Sequence, residues 1–210
     1  MSKIEVFIDG FNLYHGIRDC NSTSTYRKVL WLDLASFLES VLIRSNEDIL
    51  NGIYYFTALP KDSKDRLERH KKYCDVLENS GIHIIYGNYK NKNIKCRLCH
   101  KNFVTYEEKE TDVNIALYIL KRGIEDGYDK AVLFSGDSDL APAIERAAEL
   151  FPLKKFQVLF PINRNRSKRL KSMPVLKPIY PYLPWYKKHQ FPEKVLLQDG
   201  STITRPSQWG

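Results

Sequence analysis

The alternation of short apolar runs with helical segments constrains the fold of this chain more than any other feature. Strand-length runs of apolar, β-branched and aromatic residues occupy residues 4–8, 53–59, 82–86, 130–134 and 156–160. Segments with helical spacing of apolar residues occupy 32–43, 61–79, 111–126 and 140–150, and a short helix near 167–172 and an edge strand near 175–180 are also expected. Residues 87–108 show neither pattern and are predicted to be irregular. Because strands alternate with helices, the sequence predicts an α/β fold with a mainly parallel central sheet.

The last third of the chain differs from the rest in charge and composition. Residues 151–210 contain 12 Lys and Arg against Glu193 and Asp199, whereas residues 1–150 contain 21 Lys and Arg against 23 acidic residues. Prolines in the tail disfavour long regular elements. We therefore predict a domain over residues 1–172 and a basic C-terminal extension, rich in proline and aromatic residues, over 173–210. A basic surface beside an acidic one suits phosphate binding together with a divalent metal, although a solvated basic tail is the alternative.

Neither targeting nor membrane insertion is predicted from the sequence. The first residues do not resemble a signal peptide, and no run approaches the ~18 apolar residues of a membrane span. We therefore expect a cytoplasmic protein that does not enter membranes. Its four cysteines are then expected to be thiols or metal ligands rather than a disulfide framework.

Aspartates stand where two of the predicted strands end. Asp9 follows the first strand, Asp137 and Asp139 follow the fourth, and Asp112 opens the helix between them. Ligands of open parallel sheets bind beyond the carboxyl ends of the strands, so we expect these carboxylates to converge. Taken singly, each has an ordinary explanation in a turn or at a helix N-terminus. The four together indicate a site.

Converging carboxylates predict a divalent metal. They raise one another's pKa unless a cation compensates, and Mg²⁺ and Mn²⁺ prefer oxygen ligands. A site of this kind can activate water and stabilise the charge that develops on a phosphodiester. Asn12 and Ser135, in the same two turns, are oxygen donors predicted to contact the substrate. The predicted catalytic and metal-binding residues are Asp9, Asp112, Asp137 and Asp139.

Three segments resemble the motifs of NYN domains of the LabA-like branch. They are residues 6–14 (VFIDGFNLY), 107–116 (EEKETDVNIA) and 132–140 (VLFSGDSDL), in the order that the family has them. The similarity covers about residues 3–172. The departure from the family pattern is Glu110-Thr111, where a glycine and a small residue are expected.

The resemblance has implications for fold and activity. NYN domains resemble PIN domains and 5′-nuclease cores, which implies a three-layer α/β/α sandwich, a site for Mg²⁺ or Mn²⁺, and hydrolysis of RNA phosphodiester bonds, with cleavage at internal bonds expected. Carried over by motif, Asp9, Asp112 and Asp137 would be the principal ligands. Asp139 would complete the cluster, and Asn12 would contact the ligands or the substrate.

A basic segment, residues 163–171 (NRNRSKRLK), follows the fifth predicted strand and is expected near the same edge of the sheet. Its side chains are predicted to hold the RNA backbone by charge. The candidates are Arg164, Arg166, Lys168 and Arg169. Beyond them, Tyr182 and Tyr186 could stack on unpaired bases or pack the tail onto the domain.

Cys96 and Cys99 are candidate ligands of a structural Zn²⁺, because their spacing is that of a metal knuckle. A closed zinc site needs about four ligands. His70 and Cys74, at i and i+4 on a predicted helix, could complete it, or two chains of a homodimer could share the ion. A pair of loop thiols is the alternative.

Two other functions stay open beside the ribonuclease hypothesis. A non-catalytic RNA- or nucleotide-binding regulator would keep the acidic site and bind without cleaving. A phosphatase of the haloacid-dehalogenase type is suggested by Asp137-Ser138-Asp139. That chemistry places its Asp-x-Asp after the first strand, which here ends in Asp9-Gly10-Phe11. A ribonuclease that acts on single-stranded or structured RNA therefore remains the main hypothesis.

Overall fold

The computed structural model describes residues 1–18, 29–95, 97–164 and 167–209, so Cys96 and Arg166 lie outside the described residues. The strands are β1 Ser2–Asp9, β2 Asp48–Thr57, β3 His83–Tyr86, β4 Asn88–Lys95, β5 Asn102–Lys109, β6 Lys130–Phe134, β7 Lys155–Leu159, β8 Leu176–Ile179, β9 Lys194–Leu196 and β10 Thr202–Thr204. The α-helices are α1 Gly10–Arg18, α2 Leu34–Leu42, α3 Lys64–Asn79, α4 Thr111–Ile124, α5 Ala141–Leu150, α6 Lys168–Ser172 and α7 Leu183–Lys188. Two 3₁₀ turns cover Ser138–Leu140 and Ser207–Trp209.

Six strands form a central sheet in the order β3-β2-β1-β6-β7-β8. Every neighbouring pair in this sheet is parallel. The strand order changes direction between β1 and β6, which is the place where parallel sheets open a crevice for ligands. The predicted α/β fold with a mainly parallel sheet is confirmed.

Helices cover both faces of the sheet, which makes the three-layer sandwich. Alternate side chains of β1 point to opposite faces, so Ile4, Val6 and Ile8 join one core and Phe7 joins the other. The first core also contains apolar residues of α1, α2 and α3, and the second contains those of α4 and α5. Because β1 is buried on both faces, its sequence is an almost continuous apolar run.

Local chemistry sets several helix boundaries. The side chain of Asp33 accepts a hydrogen bond from the Ser36 amide at 3.1 Å and caps α2. α3 begins at Lys64 rather than at residue 61, because Ser63 is its N-cap. Pro142 lies in the first turn of α5, the place where a helix tolerates proline.

The prediction that residues 87–108 are irregular is wrong. β4 and β5 pair antiparallel from Asn88 with Lys109 to Lys95 with Asn102. β4 is mostly Asn and Lys, and most of it is exposed, so it lacks the apolar alternation by which strands are recognised. Hydrophobic patterning cannot detect a strand whose side chains are mostly polar and exposed.

Residues after 172 pack closely on the sheet and its first core. β8 pairs with β7 at the sheet edge, and Tyr186, Phe191 and Trp209 are buried in the first core. The indole of Trp31 donates a hydrogen bond to the carbonyl of Pro192 at 2.9 Å. These contacts do not show a separate basic extension, and the division of the chain at residue 172 stays a prediction. Within the described residues, no helix has the length and apolar character needed to cross a membrane.

Candidate active site

A hydrogen-bond network joins the carboxyl ends of β1 and β6. The Asn12 amide and the Ser135 hydroxyl each donate to one carboxylate oxygen of Asp9, both at 2.9 Å. The Asn12 side-chain oxygen accepts from the Gly136 amide at 3.0 Å. Asp9, Asn12 and Ser135 are all buried. Asn12 and Ser135, predicted as substrate contacts, therefore hold the two strand ends together and fix the Asp9 carboxylate.

Gly10 lets the chain leave β1 directly beside β2. A Cβ at this position would lie 2.5 Å from Cζ of Tyr55 and 2.7 Å from the Phe56 carbonyl oxygen. Only glycine fits this approach without displacing the neighbouring strand. The glycine after Asp9 thus keeps the turn tight and the carboxylate at the crevice.

Asp137 and Asp139 lie on the turn that follows β6. The Ser135 hydroxyl oxygen accepts from the Asp137 amide at 3.1 Å, and the Asp137 carboxylate accepts from the Asp139 amide at 2.9 Å. Asp137 is thereby the N-cap of the 3₁₀ turn, while Asp139 is exposed. One backbone turn therefore places both carboxylates beside the network that holds Asp9.

Asp112 comes from the second residue of α4, and a strained residue precedes that helix. Glu110 is its N-cap with a φ of 77°, in the left-handed region that favours glycine. This is the position at which the family pattern led us to expect glycine. The Asn88 side chain donates to the Glu110 carboxylate at 2.6 Å, so β4 supports the helix entry.

Neighbouring carboxylates act on the pKa of Asp9 and on that of Asp112. Burial raises the pKa of Asp9 from 3.8 to about 6; hydrogen bonds from Asn12 and Ser135 oppose the rise, and the charges of Asp112 and Asp137 add to it. The pKa of Asp112 is raised by partial desolvation and then by Asp137 and Asp139. Within the described residues, the charges that act on Asp112 are carboxylates alone. The structure therefore brings the four predicted acids together.

The chemistry of this donor set fits a hard divalent cation, since oxygen ligands with uncompensated negative charge are what Mg²⁺ and Mn²⁺ prefer. As positioned, no three His, Cys, Asp or Glu side chains of the described residues surround one point closely enough to hold an ion. Asp112 and Asp139 are exposed, so their side chains have room to turn toward Asp9 and Asp137. The donor set fits a metal ion in its chemistry, and holding one would need these side chains to rotate.

The basic segment after β7 is only partly available for substrate. Arg169 forms an ion pair with Glu145 of α5, with nitrogen–oxygen distances of 3.0 and 2.9 Å. Arg164 packs against Gly16 of α1. Its Cγ lies 2.9 Å from the position that a Cβ would take at Gly16. Lys168 is exposed at the start of α6, a helix that contacts the turn carrying Asp139.

The two tail tyrosines and the candidate zinc ligands lie in different surroundings. Tyr186 is buried, and its hydroxyl accepts from the Ile162 amide at 3.3 Å, so it packs the tail; Tyr182 is exposed. His70 hydrogen-bonds with Thr57 at 2.8 Å, and Cys74 is buried with its pKa raised to about 12 by desolvation. Cys99 is exposed. A zinc site at Cys96 and Cys99 stays a prediction.

Sequence reasoning missed a cleft beside the acids. It has a volume of about 430 Å³ and begins at Gly10 and Phe11, directly after Asp9. Its walls come from α1, α3, the β4–β5 ribbon and Trp209. The lining includes Tyr14, His15, Arg18, Arg66, Arg69 and Tyr89. The residues come from distant parts of the chain, and the sequence carries no local pattern that would have grouped them.

Comparison with known proteins gives a family and a fold. The family model described as NYN domain matches residues 3–172. Among curated proteins, the chain is 27% identical over 176 residues to 6-hydroxy-3-succinoylpyridine 3-monooxygenase HspA of Pseudomonas putida. That match covers 68% of this chain and 54% of the relative, so the chain spans about half of the relative's length.

A solved structure of a Vibrio parahaemolyticus protein of unknown function is also similar. The TM-score is 0.52 at 19% identity, with 85% of this chain and 93% of that chain covered. At this identity the likeness concerns the fold alone. It agrees with the parallel sheet and the layered helices described above.

Proposed function

The chain belongs to the NYN domain family, part of the PIN-like superfamily, and from that premise we propose that it is a metal-dependent ribonuclease acting on RNA phosphodiester bonds. The family is nuclease-like, and PIN-like nucleases typically use divalent metal ions. The observation that carries the proposal is the convergence of four aspartates at the crevice between β1 and β6. There, burial and two neighbouring acids raise the pKa of Asp9 to about 6.

Asp9, Asp112, Asp137 and Asp139 would hold Mg²⁺ or Mn²⁺. When bound, the cation supplies Lewis-acid activation of the phosphodiester and of water. The protein residues supply position. The Asn12 amide and the Ser135 hydroxyl fix both oxygens of Asp9, and the turn at residues 135–139 fixes Asp137. Held carboxylates lose little entropy on binding, which is the purpose of such pre-organisation.

Lys168 and Arg164 would hold the RNA backbone beside this edge, with an affinity that falls as salt rises. Arg169 would first have to leave Glu145, so we assign it a smaller contribution. Arg166 lies outside the described residues and keeps its sequence-based assignment.

The test is cleavage of end-labelled single-stranded RNA by the purified protein in Mn²⁺, in Mg²⁺ and in EDTA. Asp137→Asn keeps the oxygen that accepts from the Asp139 amide, so the turn should persist while a charged ligand is lost. We expect cleavage with a divalent metal, none in EDTA, and a loss of at least about 100-fold in the variant, which corresponds to about 3 kcal/mol of barrier.

Asp126→Asn is the matched control. Asp126 is an exposed aspartate whose partners, Lys3 and Lys154, lie at the amino end of the sheet, away from the crevice. Its loss should leave cleavage unchanged, because exposed ion pairs contribute little. Cleavage that persists in Asp137→Asn would mean that the assignment of residues is wrong. RNA binding without cleavage in any metal would favour the regulator instead.

A further inference from the structure

The cleft beside Asp9 combines positive charge with exposed aromatic surface. Arg18 from α1 and Arg66 and Arg69 from α3 line it. Arg66 is paired with Asp62, which also lines the cleft. Within the described residues, the guanidinium of Arg69 has no hydrogen-bond or ion-pair partner. A partly buried arginine without a partner, facing a cleft, is suited to an anion.

Phe11 provides the aromatic surface. Its side chain is 43% exposed although it follows a buried strand. The ring lies against that of His15, with centroids 4.1 Å apart, and the pair forms one wall of the cleft. An exposed aromatic face held by a neighbouring ring can stack with an unpaired nucleobase, because every base has a π-face.

The other walls give the cleft its size and closure. His70, hydrogen-bonded with Thr57, joins α3 to the end of β2, and both residues line the cleft. Trp209 closes another side and is itself held against Trp31 and Tyr73. The volume of about 430 Å³ is within the range of clefts that hold small ligands. The space suits one nucleotide rather than a duplex.

The cleft begins at the residues that directly follow Asp9. Gly10 and Phe11 line it, and Asp9 immediately precedes them. A strand of RNA whose phosphodiester lay at the acids would then have a neighbouring nucleotide within reach of this opening. An A-form duplex keeps its bases paired and stacked, so it cannot place one here.

We propose that this cleft binds one nucleotide of single-stranded RNA, with Arg69 at the phosphate and the Phe11 ring against the base. The proposal rests on the proposed ribonuclease function for its substrate class. It adds the location of a binding subsite on α1 and α3, on a different surface from the basic segment at residues 163–171. It also makes unpaired RNA the preferred substrate.

The experiment measures binding in EDTA, so that it does not depend on cleavage. The probe is a short fluorescein-labelled single-stranded oligoadenylate, followed by fluorescence anisotropy across a salt series. Phe11→Ala should weaken binding by roughly 5- to 150-fold, the range expected for loss of one base-stacking ring. Arg69→Ala should also weaken binding and reduce the slope of log K against log salt by about 0.7, as expected for one phosphate contact on a single strand.

Two controls accompany these variants. Phe11→Tyr keeps the ring and should bind as the parent does. Arg146→Ala removes an exposed arginine of α5, on the other face of the sheet, and should change neither affinity nor slope. Thermal unfolding of each variant shows whether the fold is kept.

Unchanged binding in both Phe11→Ala and Arg69→Ala, or no binding by the parent protein, would overturn the subsite. So would equal affinity for a duplex of the same sequence. Adenosine monophosphate bound more tightly than the oligonucleotide would overturn RNA as the source of the nucleotide. If binding depends on Phe11 and Arg69 but no metal supports cleavage, the subsite is supported and the ribonuclease proposal is contradicted. The two proposals can therefore fail separately.

Discussion

Asp9→Asn should make the metal-free protein more stable at neutral and alkaline pH while removing its activity. The carboxyl of Asp9 ionises near pH 3.8 in the unfolded chain and near 6 in the folded one. Below pH 3.8 the carboxyl is protonated in both states, so it does not change the free energy of unfolding. As pH rises toward 6, the unfolded chain releases the proton first, so the free energy of unfolding falls.

The magnitude follows from the shift. A rise of about 2 pKa units corresponds to about 3 kcal/mol lost once both states are ionised, and to about 0.5 kcal/mol at pH ~4. Asparagine removes this penalty and keeps an acceptor for the Asn12 amide. It weakens the bond from Ser135 at a cost of about 1 kcal/mol. The expected net gain at pH ~8 is about 2 kcal/mol, or about 4–8 °C in Tm.

The assay is urea or thermal unfolding of both proteins in EDTA at about pH 4 and about pH 8. We expect the variant to be more stable than the parent only at the higher pH. Asp126→Asn is the control, because Lys154 and then Lys3 lower the pKa of Asp126, and its loss should not stabilise the protein at either pH. A difference between Asp9→Asn and the parent that does not grow with pH would refute the electrostatic reasoning. Added Mn²⁺ should stabilise the parent and not the variant.

Three further substitutions test the packing that supports the site. Arg122→Met leaves the fully buried Glu5 without its guanidinium partner and should destabilise the fold by about 3–5 kcal/mol, measured by urea unfolding. Trp209→Ala should cost about 3–5 kcal/mol by the same measurement, since the indole is only 6% exposed, and should weaken RNA binding by opening the cleft. Gly10→Ala places a Cβ 2.5 Å from the Tyr55 ring, so both Tm and cleavage rate should fall.

Each of these has an outcome that would contradict it. Arg146→Met is the control for Arg122→Met, because Arg146 is exposed. Equal losses of stability in the two variants would show that the buried Arg122–Glu5 pair contributes no more than an exposed pair. An unchanged RNA affinity in a folded Trp209→Ala protein would show that Trp209 does not contribute to RNA binding in the cleft. A Gly10→Ala protein with normal activity would show that the turn after β1 can shift.

Local sequence determined the sheet and the principal acids. Strands buried on both faces must be apolar throughout, so β1 and β6 are visible as runs, and an aspartate directly after each run is at the carboxyl edge of a parallel sheet. The predicted topology and the motif resemblance both grouped Asp112 with them. It also drew attention to Glu110, whose left-handed backbone is where glycine was expected.

Only the tertiary structure decided the rest. Asn12 and Ser135 form hydrogen bonds with Gly136 and Asp9, which come from the opposite strand end, and sequence spacing does not reveal these contacts. β4 is mostly exposed and consists largely of Asn and Lys, so it has no periodic apolar pattern to detect. The cleft is assembled from helix faces, a ribbon and the C-terminal turn. Which of these faces meet depends on long-range packing, whereas an aspartate at the end of a buried strand is fixed by its immediate neighbours.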